Sequence, residues 1–173
     1  EQAKAQFDVN FFGTVTVNKA VLPFMRHQGK GHIVNISSVA AVAHIPFQPF
    51  YSASKAAVSS YSYALANEVK PYGIHVTVVE LGDICTGFTK ARQKSSLGDD
   101  EYGGRISRSV SQMEHDEQNG MDPARIGRYI AGIVEKKNPA VVYVAGAQYK
   151  FLSLLCKLLP AAARGKIVGK IYG

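Results

Sequence analysis

The 173 residues are 46% apolar and 19% charged, with two cysteines, an ordinary globular composition and enough length for one domain with a real core. No apolar run reaches the roughly 18–20 residues of a membrane-spanning helix. The start, Glu1-Gln2-Ala3-Lys4, has neither the basic opening nor the apolar stretch of a signal peptide. Cys85 and Cys156 lie too far apart for a disulfide framework or a metal motif, so the expectation is a single domain over 1–173 in a reduced, cytoplasmic setting. The net charge of +7 is localised. Residues 136–173 contain Lys136, Lys137, Lys150, Lys157, Arg164, Lys166 and Lys170 and no Asp or Glu, and they carry the whole excess. Such a block attracts anionic lipid, nucleic acid or a phosphorylated ligand, or forms a solvated face.

In chain order, residues 1–27 read as one long helix, with Phe7, Phe11, Val15, Val21, Leu22 and Met25 at helical spacing. Pro23 should bend it, and Gln28-Gly29-Lys30-Gly31 should end it. The β-branched run 32–37 predicts a buried parallel strand. A loop with Pro46 and Pro49 follows, then an Ala- and Ser-rich helix over 51–70, small enough on one side for close packing. Residues 74–79 predict a second buried strand. Residues 82–121 are polar and rich in Gly and Ser, and predict a long irregular segment, either a lid or substrate loop or a partly disordered stretch. Asp122-Pro123 then supplies an N-cap and a first-turn proline for a helix striped by Ile126, Ile130, Ile133 and Val134. Residues 140–144 predict a third strand. Alternation of helix and strand means an α/β domain with a parallel sheet of about three strands.

One constellation points to chemistry. Tyr51 and Lys55 are four residues apart, hence on one helix face. By itself the pair is weak, since many surface helices carry one. Its context is stronger: the helix follows a strand ending in Ile36-Ser37-Ser38, and α/β sheets build their sites at the carboxyl ends of strands.

The ordered set Asp8-Val9-Asn10-Phe11-Phe12-Gly13, Ile33 to Ser38, Tyr51-x-x-x-Lys55 and Ile74-x-Val76-x-x-Val79-x-x-Gly82 resembles the short-chain dehydrogenase/reductase family, well over residues 5–90 and loosely beyond. The likeness is greatest to the lipid, steroid and retinol-type branch. It implies the C-terminal part of a Rossmann-like, doubly wound parallel sheet and an NAD- or NADP-dependent interconversion of carbonyl and secondary alcohol, on an apolar or lipid-like substrate. Tyr51 would give or take the proton, Ser38 would bind the same oxygen, Lys55 would favour the phenolate and hold the nicotinamide ribose, and Asn10 would support a relay water. Gly82, Ile84 and Thr86 match a loop that meets the nicotinamide carboxamide, although Leu81 stands where the family has proline. No metal is implied.

The family's Gly-rich turn between a first strand and helix has no counterpart here, because Gly29-Lys30-Gly31 and Gly103-Gly104 do not lie between a strand and a helix at the needed spacing. The resemblance therefore implies a fragment, inactive alone, with about four strands of a seven-stranded sheet outside it and the strand at 32–37 left as an apolar edge. Pairing of that edge with another chain is the competing account. A non-catalytic, scaffold-like relative is the alternative to an enzyme. Helices 1–27 and 51–70 imply a homo-oligomer. Residues 150–159 form a basic amphipathic helix within a tail over 146–173, with Lys150, Ser153 and Lys157 on one face and leucines on the other. Core packing, a lid over an apolar substrate and contact with a membrane surface all stay open for it, whereas the lack of a stacking-aromatic groove speaks against nucleic acid.

Overall fold

The computed structural model describes residues 1–92 and 97–172. The expected first helix is α1 (Gln2–Phe7), a π-helical turn (Asp8–Phe12) and α2 (Gly13–Gln28). Pro23 lies inside α2, and the helix continues past it to Gln28. Gly29 ends it at φ 65°, a left-handed conformation that costs glycine no Cβ clash.

Strand β1 (Gly31–Ser38) pairs in parallel with β2 (Ile74–Leu81), from Gly31 opposite Ile74 to Ser38 opposite Leu81. β2 pairs in turn with β3 (Val142–Val144), giving the order β1-β2-β3. A parallel pair needs a crossover. Here α3 (Ala40–Ala43) and α4 (Pro49–Val69) connect the first two strands, and α5 (Phe88–Ala91), α6 (Arg105–Gln118) and α7 (Pro123–Val134) lie between the second and third. α8 (Ala147–Leu158) and α9 (Ala161–Tyr172) close the chain. β2 is the central strand and is buried along nearly its whole length, as its unbroken apolar run requires. Among the described residues β1 forms one edge of the sheet.

The small residues of α4 let it lie close on β1. Asn35 Nδ2 donates to Ser62 Oγ at 2.8 Å, and Ser37 Oγ bonds Ser59 Oγ at 2.8 Å and the Lys55 carbonyl at 2.9 Å. Hydroxyls buried this way are satisfied, so they fix the helix on the strand without the penalty of an orphaned polar group. Below them Ile33, Leu65, Val69, Ile74 and Val76 form one apolar cluster. A second cluster, Val39, Ala43, Cys156 and Val168, ties α3 to α8 and α9.

One expectation needs correction. Residues 82–121 are not irregular throughout, because α6 occupies much of that span; Gln93–Ser96 lie outside the described residues. The inward stripe of α6 is Ser109, Met113 and Glu117, with helical spacing but one apolar member, so hydrophobic periodicity misses it. The orientation of α8, which the sequence leaves open, is set by charge. Its inward face holds Ser153, while Phe151, Leu154 and Leu158 are 69%, 57% and 74% exposed. The cause is Glu80 at the end of β2, a carboxylate 1% exposed. Ser153 Oγ donates to it at 2.7 Å and Lys157 Nζ at 2.9 and 3.0 Å. A buried charge must be paired and hydrogen-bonded. That requirement sets the rotation of the helix, which packs Leu152 on the second cluster and leaves Leu154 and Leu158 outside.

Candidate active site

Each predicted site residue sits where an element ends or bends. Ser38 is the last residue of β1; its Oγ accepts from the Ala40 N–H at 3.1 Å, opening α3, and it lies close enough to the Tyr51 phenol to pull its pKa down. The hydroxyl thus does both things its position allows, turning the chain and acting on Tyr51. Tyr51 and Lys55 occupy the first turns of α4, where helical spacing stacks the ammonium 5.9 Å from the phenol ring centroid. Lys55 Nζ donates to the Ile36 carbonyl at 3.1 Å. Asn10 lies in the π-helical turn, and its Nδ2 donates to Ser54 Oγ at 3.0 Å. π-Turns inside helices recur at functional sites because the extra residue displaces the backbone locally.

These four residues, with Gly82, Ile84 and Thr86, line one cavity of about 300 Å³. All seven residues singled out by the sequence are therefore brought together. The loop after β2 lacks the family's proline, yet it is restrained in another way. Met121 N–H donates to the Asp83 carbonyl at 2.9 Å, Cys85 N–H donates to the Met121 carbonyl at 3.1 Å, and Ile84 forms a parallel bridge to Met121. Gly82 is needed for a different reason: a Cβ there would run into the Tyr149 ring. Thr86 Oγ1 accepts from the Phe88 N–H at 3.2 Å.

The electrostatics correct one expectation. Lys55 was expected to pull the Tyr51 phenol down. Instead burial dominates and pushes that phenol above its ordinary value, with the Ser38 hydrogen bond pulling the other way and Glu117 and Asp83 adding to the rise. Burial also lowers Lys55. A phenol raised in this way stays protonated at neutral pH and is a weaker acid than a free phenol.

Four titratable lining residues escaped the sequence reading: Asp83, Glu117, Tyr149 and Tyr172. Tyr149 Oη donates to Asp83 Oδ2 at 2.7 Å, and burial pushes the Asp83 carboxyl up from the usual range. Glu117 pairs with Arg92 and accepts from Thr89 Oγ1 at 2.7 Å. Tyr172 Oη donates to Asp116 Oδ2 at 3.1 Å. Asp83 alone had a local signal, as an acid inside a recognised loop; the others come from helices remote in sequence. Among the described residues no group of His, Cys, Asp and Glu could hold a metal ion, and no helix is long and apolar enough to cross a membrane.

The fold is that of solved short-chain dehydrogenases. One from Streptomyces avermitilis superposes with TM-score 0.73 at 24% identity over 97% of this chain and 62% of its own. One from Burkholderia cenocepacia, solved in complex with NADP, gives 0.68 at 20% identity over 95% of this chain and 58% of its own. Residues 1–96 match the family described as short chain dehydrogenase, and the chain belongs to that oxidoreductase family. Among curated relatives, a 3-ketodihydrosphingosine reductase of Bacteroides thetaiotaomicron is 48% identical over 80% of this chain and 52% of its own length. Dehydrogenase/reductase SDR family member 7B of Danio rerio is 34% identical over 78% and 40%. The chain thus spans about half the length of these relatives.

Proposed function

We propose that this chain carries the catalytic wall of an NAD- or NADP-dependent reductase that converts a long-chain ketone to a secondary alcohol. The observation that carries the reading is the convergence of Ser38, Tyr51, Lys55 and Asn10 on one cavity with a protonated, buried phenol at its centre. Ser38 and Tyr51 together bind the carbonyl oxygen, and Tyr51 donates the proton as the oxygen gains charge. The nicotinamide supplies the hydride when bound. The residues present fit its ribose end: an ammonium has three N–H donors, and Lys55 gives one to the Ile36 carbonyl, which fixes its place at the cavity wall. Gly82, Ile84 and Thr86 serve the carboxamide side of the same cavity. The family's phosphate-binding turn has no counterpart in these 173 residues, so the chain alone is expected to bind NAD or NADP weakly and to turn nothing over.

The cavity also supports a substrate class. Its wall joins the reacting residues to Ala43, Ile45, Leu152 and Val168, a slot for an apolar chain, and to the carboxylate of Asp83. The compound in the name of the 48% identical relative is a long-chain ketone with an amine beside its carbonyl. Asp83 is the group that would receive such an ammonium, and the pairing would offset the burial that now disfavours its charge. The test is cofactor oxidation by the full-length protein with a long-chain 2-amino ketone and with the same ketone lacking the amine. Asp83→Asn should raise KM for the amino ketone at least ~10-fold, the loss of a charge-assisted contact of about 1.5–3 kcal/mol, and leave the plain ketone unchanged. An equal change for both would mean a structural role for Asp83. No turnover of either ketone would refute the reductase reading.

The apolar residues left exposed on α1 to α2, including Phe12, Val17 and Phe24, are proposed to meet a second copy of the chain together with α4. Light scattering on the full-length protein tests this, and a strict monomer counts against it.

A further inference from the structure

The apolar stripe of α8 cannot turn inward. Rotating the helix to bury Phe151, Leu154 and Leu158 would withdraw Ser153 and Lys157 from Glu80 and leave a buried carboxylate unpaired. The outward stripe is therefore a fixed feature of the surface, and such patches mark interaction sites. Its surroundings give the partner's chemistry. Lys150 lies on the same helix at the edge of the stripe, and Lys166 and Lys170 are exposed on α9 beside Ile167 and Ile171. Residues 136–173 contain no acidic side chain to balance them. Apolar residues with a cationic border suit the interface of an anionic bilayer, where rings and leucines enter the acyl boundary and lysines meet headgroups. On α9, Ile171 is 50% exposed and at the same time lines the cavity wall.

We propose that α8 and α9 form a docking surface for anionic membranes, seated by Phe151, Leu154 and Leu158 and held by Lys150, Lys166 and Lys170. Docking there would place the apolar end of the cavity against the bilayer, so that a lipid-like ketone could enter without crossing water. The surface is distinct from Tyr51 and Lys55, and its binding is read without turnover, so a failure here leaves the reductase reading standing.

The test is sedimentation of the full-length protein with phosphatidylcholine vesicles, with and without phosphatidylserine, at low and high salt. The protein should bind the phosphatidylserine vesicles, and binding should weaken as salt screens the lysines. Leu154→Ser/Leu158→Ser should reduce the partition at least ~10-fold, as removing two of the three apolar side chains of an interfacial stripe does. Lys150→Glu/Lys166→Glu/Lys170→Glu should reduce it ~100-fold, at about 1 kcal/mol per basic residue. Circular dichroism confirms that both variants fold; all the changed residues are exposed. Absence of vesicle binding by the unaltered protein, or unchanged binding by both folded variants, would overturn the proposal. So would a dimer that Leu154→Ser/Leu158→Ser converts to a monomer, since the stripe would then belong to a second copy.

Discussion

Two walls enclose the cavity, and they are built on different principles. The wall from β1, α3 and α4 takes its reactive groups from neighbours in sequence: Ser38 ends a strand, and Tyr51 and Lys55 follow one turn apart on the next long helix. The opposite wall comes from the loop after β2 and from α6, α8 and α9. Its groups meet over 66 and 73 positions of chain, as in Tyr149 to Asp83 and Ser153 to Glu80. The first wall is positioned by backbone geometry. The second is held by buried acids that recruit polar partners from distant helices. Reactive chemistry therefore survives small changes in the cover, whereas the shape of the substrate slot depends on a few charged contacts.

The sharpest way to break this contrast is to cut the second wall free. Lys157→Met removes the cation from Glu80, leaving Ser153 and Tyr63 as its hydrogen-bond donors. Because Lys157 is partly exposed, the expected loss of stability is about 1–3 kcal/mol, the cost of a buried acceptor losing a partner. Denaturant unfolding measures it. Lys157→Met/Glu80→Gln should recover part of the loss, as the carboxylate no longer needs a cation. No recovery would mean that Lys157 acts through its methylenes and not through Glu80.

Alkaline pH should do the same more gently. Tyr63, which donates to Glu80, and Tyr149, which donates to Asp83, are each pushed up to about 12 from 10.0, first by burial and then by their carboxylates. A raised folded value means that the folded state binds more protons than the unfolded chain between the two values. Stability from these phenols is thus complete below pH 10 and is lost as pH rises through about 12. The slope of unfolding stability against pH between 10 and 12 should be negative, and shallower in Tyr63→Phe and in Tyr149→Phe. An unchanged slope in both would show that neither phenol ties the second wall down.

The difference between the walls also explains what the sequence conveys. Tyr51, Lys55, Ser38 and Asn10 are recognisable because their chemistry depends on local spacing, and the strands around them because a doubly covered strand must be apolar throughout. Glu117 and Tyr172 carry no local signal, since what makes them part of the site is a helix returning from elsewhere. α8 shows the limit most clearly. Its amphipathic pattern reads correctly, but the inward face is chosen by Glu80, a residue that no helical period contains. The expected pull of Lys55 on Tyr51 likewise comes with the resemblance, while burial, which dominates the phenol, depends on the completed fold.

The claim on which the account stands is that Tyr51 delivers the proton inside this cavity. It is tested most directly by ketone reduction in the full-length protein carrying Tyr51→Phe, which keeps the ring and removes only the acid. The account predicts that kcat falls by about 10²–10⁴ with circular dichroism unchanged, the usual contribution of a positioned general acid. A folded Tyr51→Phe protein that reduces ketone at a near-normal rate would contradict it.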